Sequence, residues 1–105
     1  MIPPSQPLAL APLNTFGVAA MARQAWTVHD PDSLDAVLEA AVAAGQGRPP
    51  FVLAGGSNLL VARDIDEPLL LVRLAGRRVL EDDGNQMLLE VAAGEPWHPL
   101  VRWTL

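Results

Sequence analysis

One stretch constrains this chain more than any other: Phe51-Val52-Leu53-Ala54-Gly55-Gly56-Ser57-Asn58-Leu59-Leu60-Val61. Residues 51–54 form a short apolar run with an aromatic and a β-branched residue, directly after the breakers of residues 45–50. That pattern predicts a buried strand. Gly55 and Gly56 stop it, because a backbone without Cβ can turn sharply and lie against a ligand. Ser57 adds a hydroxyl, Asn58 an amide that tolerates left-handed geometry. Leu59, Leu60 and Val61 return the chain to the core. A strand, a glycine turn and a small polar pair can present backbone N–H groups to a phosphate. The same cluster also serves as a plain turn. No Lys follows the glycines, so this is not a Walker loop, and the spacing is not Gly-x-Gly-x-x-Gly.

The surroundings of that loop read as one strand–helix–strand unit. Residues 24–29 alternate imperfectly and predict a strand. Asp30 suits a helix cap, Pro31 the first helical position, and Asp32 the positive end of the helix dipole. Leu34, Val37, Leu38, Ala41 and Val42 repeat as one apolar stripe, and Gly45 ends the helix. With Val52 and Leu53 these residues make the predicted core. A crossover of this kind places its two strands parallel in one sheet. The glycine loop then lies at the carboxyl end of the second strand, where open α/β sheets bind ligands.

Further along, residues 64–68 read as a solvated acidic connector and residues 69–72 as a buried strand. Residues 77–81 and 87–92 form a hairpin, with Asp83-Gly84 signalling a type I′ turn. Residues 94–97 open a second helix, with Trp97, Leu100, Val101, Thr104 and Leu105 on one face. The fold class is therefore α+β: a small mixed sheet, a strand–helix–strand unit and a hairpin. Residues 1–12 hold four of the ten prolines and read as a flexible leader. The last helix has no cap or closing turn and reads as truncated. With that apolar face uncovered, the chain by itself is expected to be either oligomeric or partly disordered after about Ala92.

Composition excludes several functions. At 105 residues the chain is one small domain. It has no cysteine, which removes disulfides, thiolate catalysis and cysteine-ligated metals. His29 and His98 lack ligand spacing, so no metal site is expected. The net charge of −5 and the scattered arginines argue against nucleic acid. The N-terminus has no basic segment before its apolar residues, and no apolar run approaches about 18 residues, so neither a signal peptide nor a membrane span is expected. A cytoplasmic location follows by default.

Ala54-Gly55-Gly56-Ser57-Asn58-Leu59-Leu60 resembles the pyrophosphate-binding loop of the UDP-N-acetylenolpyruvoylglucosamine reductase family, flavoproteins of the vanillyl-alcohol-oxidase (PCMH) type. Asn14-Thr15-Phe16-Gly17-Val18 resembles that family's N-terminal signature. Ala93-Gly94-Glu95-Pro96-Trp97-His98-Pro99-Leu100-Val101 resembles the start of the helix after its hairpin. The three motifs occur in the family's order and span residues 13–105. One departure is Ala54, where many relatives carry another glycine.

The resemblance implies that residues 13–105 are the N-terminal part, and N-terminal subdomain, of a PCMH-type FAD-binding domain. It implies non-covalent FAD held by Ala54, Gly55, Gly56, Ser57, Asn58 and Leu59, since neither histidine adjoins the loop to anchor a flavin covalently. NADPH would be the hydride donor and a UDP-sugar the substrate, its enolpyruvyl ether reduced to UDP-N-acetylmuramate in peptidoglycan precursor synthesis. The family's proton-donating serine, its companion glutamate and its substrate-binding arginine lie in later sequence. No catalytic residue is therefore assigned within this chain, and the chain alone is expected to be inactive. Alternatives of other classes are a non-catalytic flavin- or nucleotide-binding module, the flavin domain of an oxidase in the same superfamily, and an inactive truncated product.

Overall fold

The run Leu69–Val72 organises the main sheet. All its residues are buried, as expected of a strand covered on both faces. The computed structural model describes residues 4–13, 17–55, 61 and 63–105. Their strands are β1 (Gln6–Ala9), β2 (Met21–Val28), β3 (Phe51–Leu53), β4 (Leu69–Val72), β5 (Arg77–Asp82) and β6 (Met87–Val91), and their α-helices are α1 (Leu34–Ala44) and α2 (Trp97–Thr104). The first four strands form a mixed sheet in the order β1-β2-β4-β3, and β5-β6 form a separate sheet. β2 and β3 each run parallel to β4, which lies between them, while β1 pairs antiparallel with β2. The expected strand–helix–strand crossover is therefore present, with β4 inserted at its centre.

Strand alternation divides the core into two layers. Leu69 and Leu71 face a cluster with Leu10, Ala22, Ala25, Leu53 and Ile65. Leu70 and Val72 face Trp26, Val28, Val37, Ala40 and Ala41, where α1 packs. The helix starts as its sequence dictates: Asp30 Oδ1 accepts from Ser33 N–H at 3.0 Å, and Pro31–Ser33 form a 3-10 turn leading into α1.

The expected apolar stripe is rotated. Val37, Ala40 and Ala41 are the buried residues of α1, whereas Leu38 is 39% exposed. The small Ala40 and Ala41 let the helix approach β2 and β4, and that approach turns Leu38 to the flank. β3 also departs from expectation. It is a three-residue edge strand in which Leu53 is buried and Val52 is 61% exposed. An edge strand has a sheet neighbour on one side, and here only Leu53 reaches the core.

The proline-rich leader is part of the fold from Gln6 onward. β1 adds to the sheet edge, Leu10 N–H donates to Ala20 O at 2.9 Å, and the Leu10 side chain is fully buried. Pro7 is tolerated there because an edge strand does not need every N–H for its ladder. The acidic connector contributes to the core as well. Ile65 bridges to Ala22 and is buried, and Asp64 Oδ1 accepts from Met21 N–H at 2.9 Å.

The hairpin forms with a different turn. Asp83 N–H donates to Gln86 O at 3.1 Å, closing a two-residue loop in which Gly84 has φ 88°. Asn85 keeps negative φ. A type I′ turn needs both central residues left-handed, so this φ pattern is that of type II′. The Asp83 carboxylate replaces the missing turn contacts by accepting from Asn85 N–H at 2.9 Å and Gln86 N–H at 2.7 Å.

Past Ala92 the chain forms the expected second helix, α2. Pro96 is its N-cap residue, and Arg77 braces it by donating to Pro99 O at 3.2 Å and lying 4.8 Å from the Trp103 ring centroid. Among the described residues no helix is long and apolar enough to cross a membrane.

Candidate functional site

The parallel register brings the carboxyl ends of β2, β4 and β3 to one edge of the sheet. At that edge the chain leaves β3 through Ala54 and Gly55. Ala54 is half-buried against the α1 side of the core, and Gly55 is exposed. Its chain neighbours aside, no atom of the described residues lies within 4 Å of where a Gly55 Cβ would stand. Packing within the described chain thus places no demand for glycine at this position. Val61, buried at 5% exposure, returns the chain to the core as the sequence predicts.

Of the predicted site residues, Ala54 and Gly55 are therefore placed. Gly56, Ser57, Asn58 and Leu59 lie outside the described residues, as do Asn14, Thr15 and Phe16 of the N-terminal motif. Gly17, the first described residue of that motif, has φ 62°.

Sequence reasoning missed Arg73. Its N–H donates to Val28 O at 2.8 Å, joining the ends of β2 and β4. Its half-buried side chain crosses to β3, where Nη1 donates to Ala54 O at 2.9 Å and to Val72 O at 3.2 Å. The third motif packs against the same point. Gly94 N–H donates to Leu74 O at 2.9 Å, and a Cβ on Gly94 would press on Leu74 O while standing 2.6 Å from Leu74 N and 2.8 Å from Arg73 C. The available signal was a cation immediately after a fully apolar strand, at the end of the sheet where ligands bind.

The histidines, His29 and His98, are both exposed. Among the described residues no group of three or more His, Cys, Asp or Glu could hold a metal ion. The described residues offer an exposed glycine backbone beside a guanidinium, which suits an anionic ligand.

A family model described as "FAD binding domain" matches residues 22–105. Among similar curated proteins, the UDP-N-acetylenolpyruvoylglucosamine reductase of Pseudomonas putida is 46% identical over 98 residues, covering 93% of this chain and 28% of that protein. The protein of that name from Burkholderia vietnamiensis is 40% identical over 111 residues, covering 100% of this chain and 31% of that protein. The one from Flavobacterium johnsoniae is 36% identical over 92 residues, covering 88% and 26%. The chain thus spans less than a third of the length of these relatives.

Proposed function

The chain belongs to the FAD binding domain family, and from that premise we propose that it is the N-terminal part of the flavin domain of a UDP-N-acetylenolpyruvoylglucosamine reductase. The carrying observation is Gly55: it leaves the carboxyl edge of the parallel strands into open space, within the loop whose sequence resembles the family's pyrophosphate site. The described residues fit the cofactor, since an exposed glycine backbone and a nearby guanidinium suit a diphosphate. Ala54, Gly55, Gly56, Ser57, Asn58 and Leu59 would hold FAD without a covalent bond.

A bound flavin would supply hydride transfer from NADPH to the enolpyruvyl ether of a UDP-sugar. This chain's part is to grip the diphosphate and so fix the cofactor's orientation. Proton donation and substrate binding belong to sequence beyond residue 105. On this reading the described fold is the N-terminal subdomain of a PCMH-type domain, working in the cytoplasm on peptidoglycan precursors.

The test is Gly56→Val in the full-length protein. Flavin per protein should fall sharply while expression holds, and NADPH oxidation dependent on the enolpyruvyl substrate should fall with it. A variant that keeps its yellow colour and normal flavin ratio would remove the loop assignment. The 105-residue chain alone, with FAD added, should oxidise no NADPH in the presence of that substrate.

A further inference from the structure

Resting on that reading, we propose that Arg73 is a positioning residue for the cofactor loop. The loop leaves β3 at Ala54, and β3 is a short edge strand hydrogen-bonded on one side, so its own ladder holds that exit weakly. Arg73 supplies the missing restraint. A single Nη1 bridges Ala54 O on β3 and Val72 O on β4, at 2.9 and 3.2 Å, and so ties the ends of the two strands together. The backbone at the same residue is fixed from two further directions: its N–H donates to Val28 O, and the Gly94 segment packs on its carbonyl carbon and on Leu74. The backbone of Arg73 is therefore held by two separate parts of the chain while its guanidinium holds a third, the end of β3.

Fixing the Ala54 carbonyl fixes the plane of the Ala54–Gly55 peptide, whose N–H is the first donor of the loop. A peptide plane is rigid, so a carbonyl pinned on one side aims the N–H on the other. The positive charge also sits at the exit, which favours an anion there without direct contact. Charge-assisted bonds of this kind are stronger than neutral ones.

The experiment uses the full-length protein, stripped of flavin and titrated with FAD. Arg73→Met, which keeps the apolar stem, should weaken FAD binding by about 10–100-fold, and Arg73→Lys should recover part of that loss. Riboflavin, which lacks the diphosphate, should bind wild type and Arg73→Met alike. The visible circular dichroism of the bound flavin should differ between wild type and Arg73→Met at saturating FAD. Unchanged FAD affinity in Arg73→Met overturns the proposal, and so does equal weakening toward FAD and riboflavin, which would mark a general loss of fold. Wild-type protein that binds no FAD would instead overturn the functional reading on which the proposal rests.

Discussion

Gly94→Ala is the substitution for which the structure makes the sharpest demand. The new Cβ would press on Leu74 O and stand 2.6 Å from Leu74 N and 2.8 Å from Arg73 C. All three are backbone atoms in the link between β4 and β5, so no rotamer change relieves them. The segment must move away, which stretches the Gly94 N–H to Leu74 O bond and strains the neighbouring Ala92 N–H to Gly76 O bond, both 2.9 Å long. Overpacking of this kind costs about 1–3 kcal/mol. Loss of one hydrogen bond adds about 0.5–1.5 kcal/mol. The total, about 2–4 kcal/mol, is a large part of the roughly 5–15 kcal/mol that keeps a domain folded. With a urea slope of about 1–3 kcal/mol per molar, the midpoint should fall by about 0.7–4 M. The assay is urea unfolding of the flavin-free, full-length protein followed by tryptophan fluorescence. Gly55→Ala is the control, because its Cβ meets no described atom, and it should leave the flavin-free midpoint nearly unchanged. A Gly94→Ala midpoint within about 0.3 M of wild type, at unchanged slope, would refute the close-approach argument.

In α1, Val37→Ala should cost about 2 kcal/mol, from about 0.8 kcal/mol per buried methylene with a cavity contribution, while the exposed Leu38→Ala should cost less than half of that; equal effects would restore the original stripe. Acid should weaken the hairpin turn: the N–H groups of Gln86 and Asn85 hold the Asp83 carboxyl below the ordinary aspartate range, so its contribution is present above the unfolded value and is lost as pH falls through the folded one. The stability gap between wild type and Asp83→Asn should close as pH drops from about 7 to about 2, and a constant gap would contradict this linkage. The 105-residue chain by itself should self-associate through its exposed apolar surface, which includes Met87, Leu88 and Trp97, and Leu88→Glu should shift its sedimentation toward monomer; a monodisperse wild-type monomer would be the contrary result.

The parts legible in the sequence were those where one local rule acted without competition. Asp30-Pro31 wrote the helix start, and Leu69–Val72 wrote a strand buried on both faces. The strand at residues 24–29 was harder because its alternation is broken, and the pairing shows why. Gln6 to Leu8 on β1 opposes Ala25 to Ala22 on β2, so β2 carries one extra residue, a bulge that puts Ala22 and Ala25 on one face. A reader assuming strict period two cannot recover that register, or the true start of β2 at Met21. The helix stripe failed differently. Periodicity weights large residues, so Leu38 outranked Ala40, yet a helix laid on a sheet buries whichever face allows close approach, and Ala40 and Ala41 allow it.

Arg73 was illegible for a third reason: its partners, Ala54 and Gly94, are remote in sequence and reach it only through the sheet order and the hairpin return. A linear reading can identify a glycine loop from the residues inside it. What aims the loop lies elsewhere. β4 enters the sheet between β2 and β3, so the residue that follows it falls beside the exit of β3 whatever the loop's own sequence says. A cation at that one position can act on the loop; the same cation two residues earlier would lie within the fully buried β4.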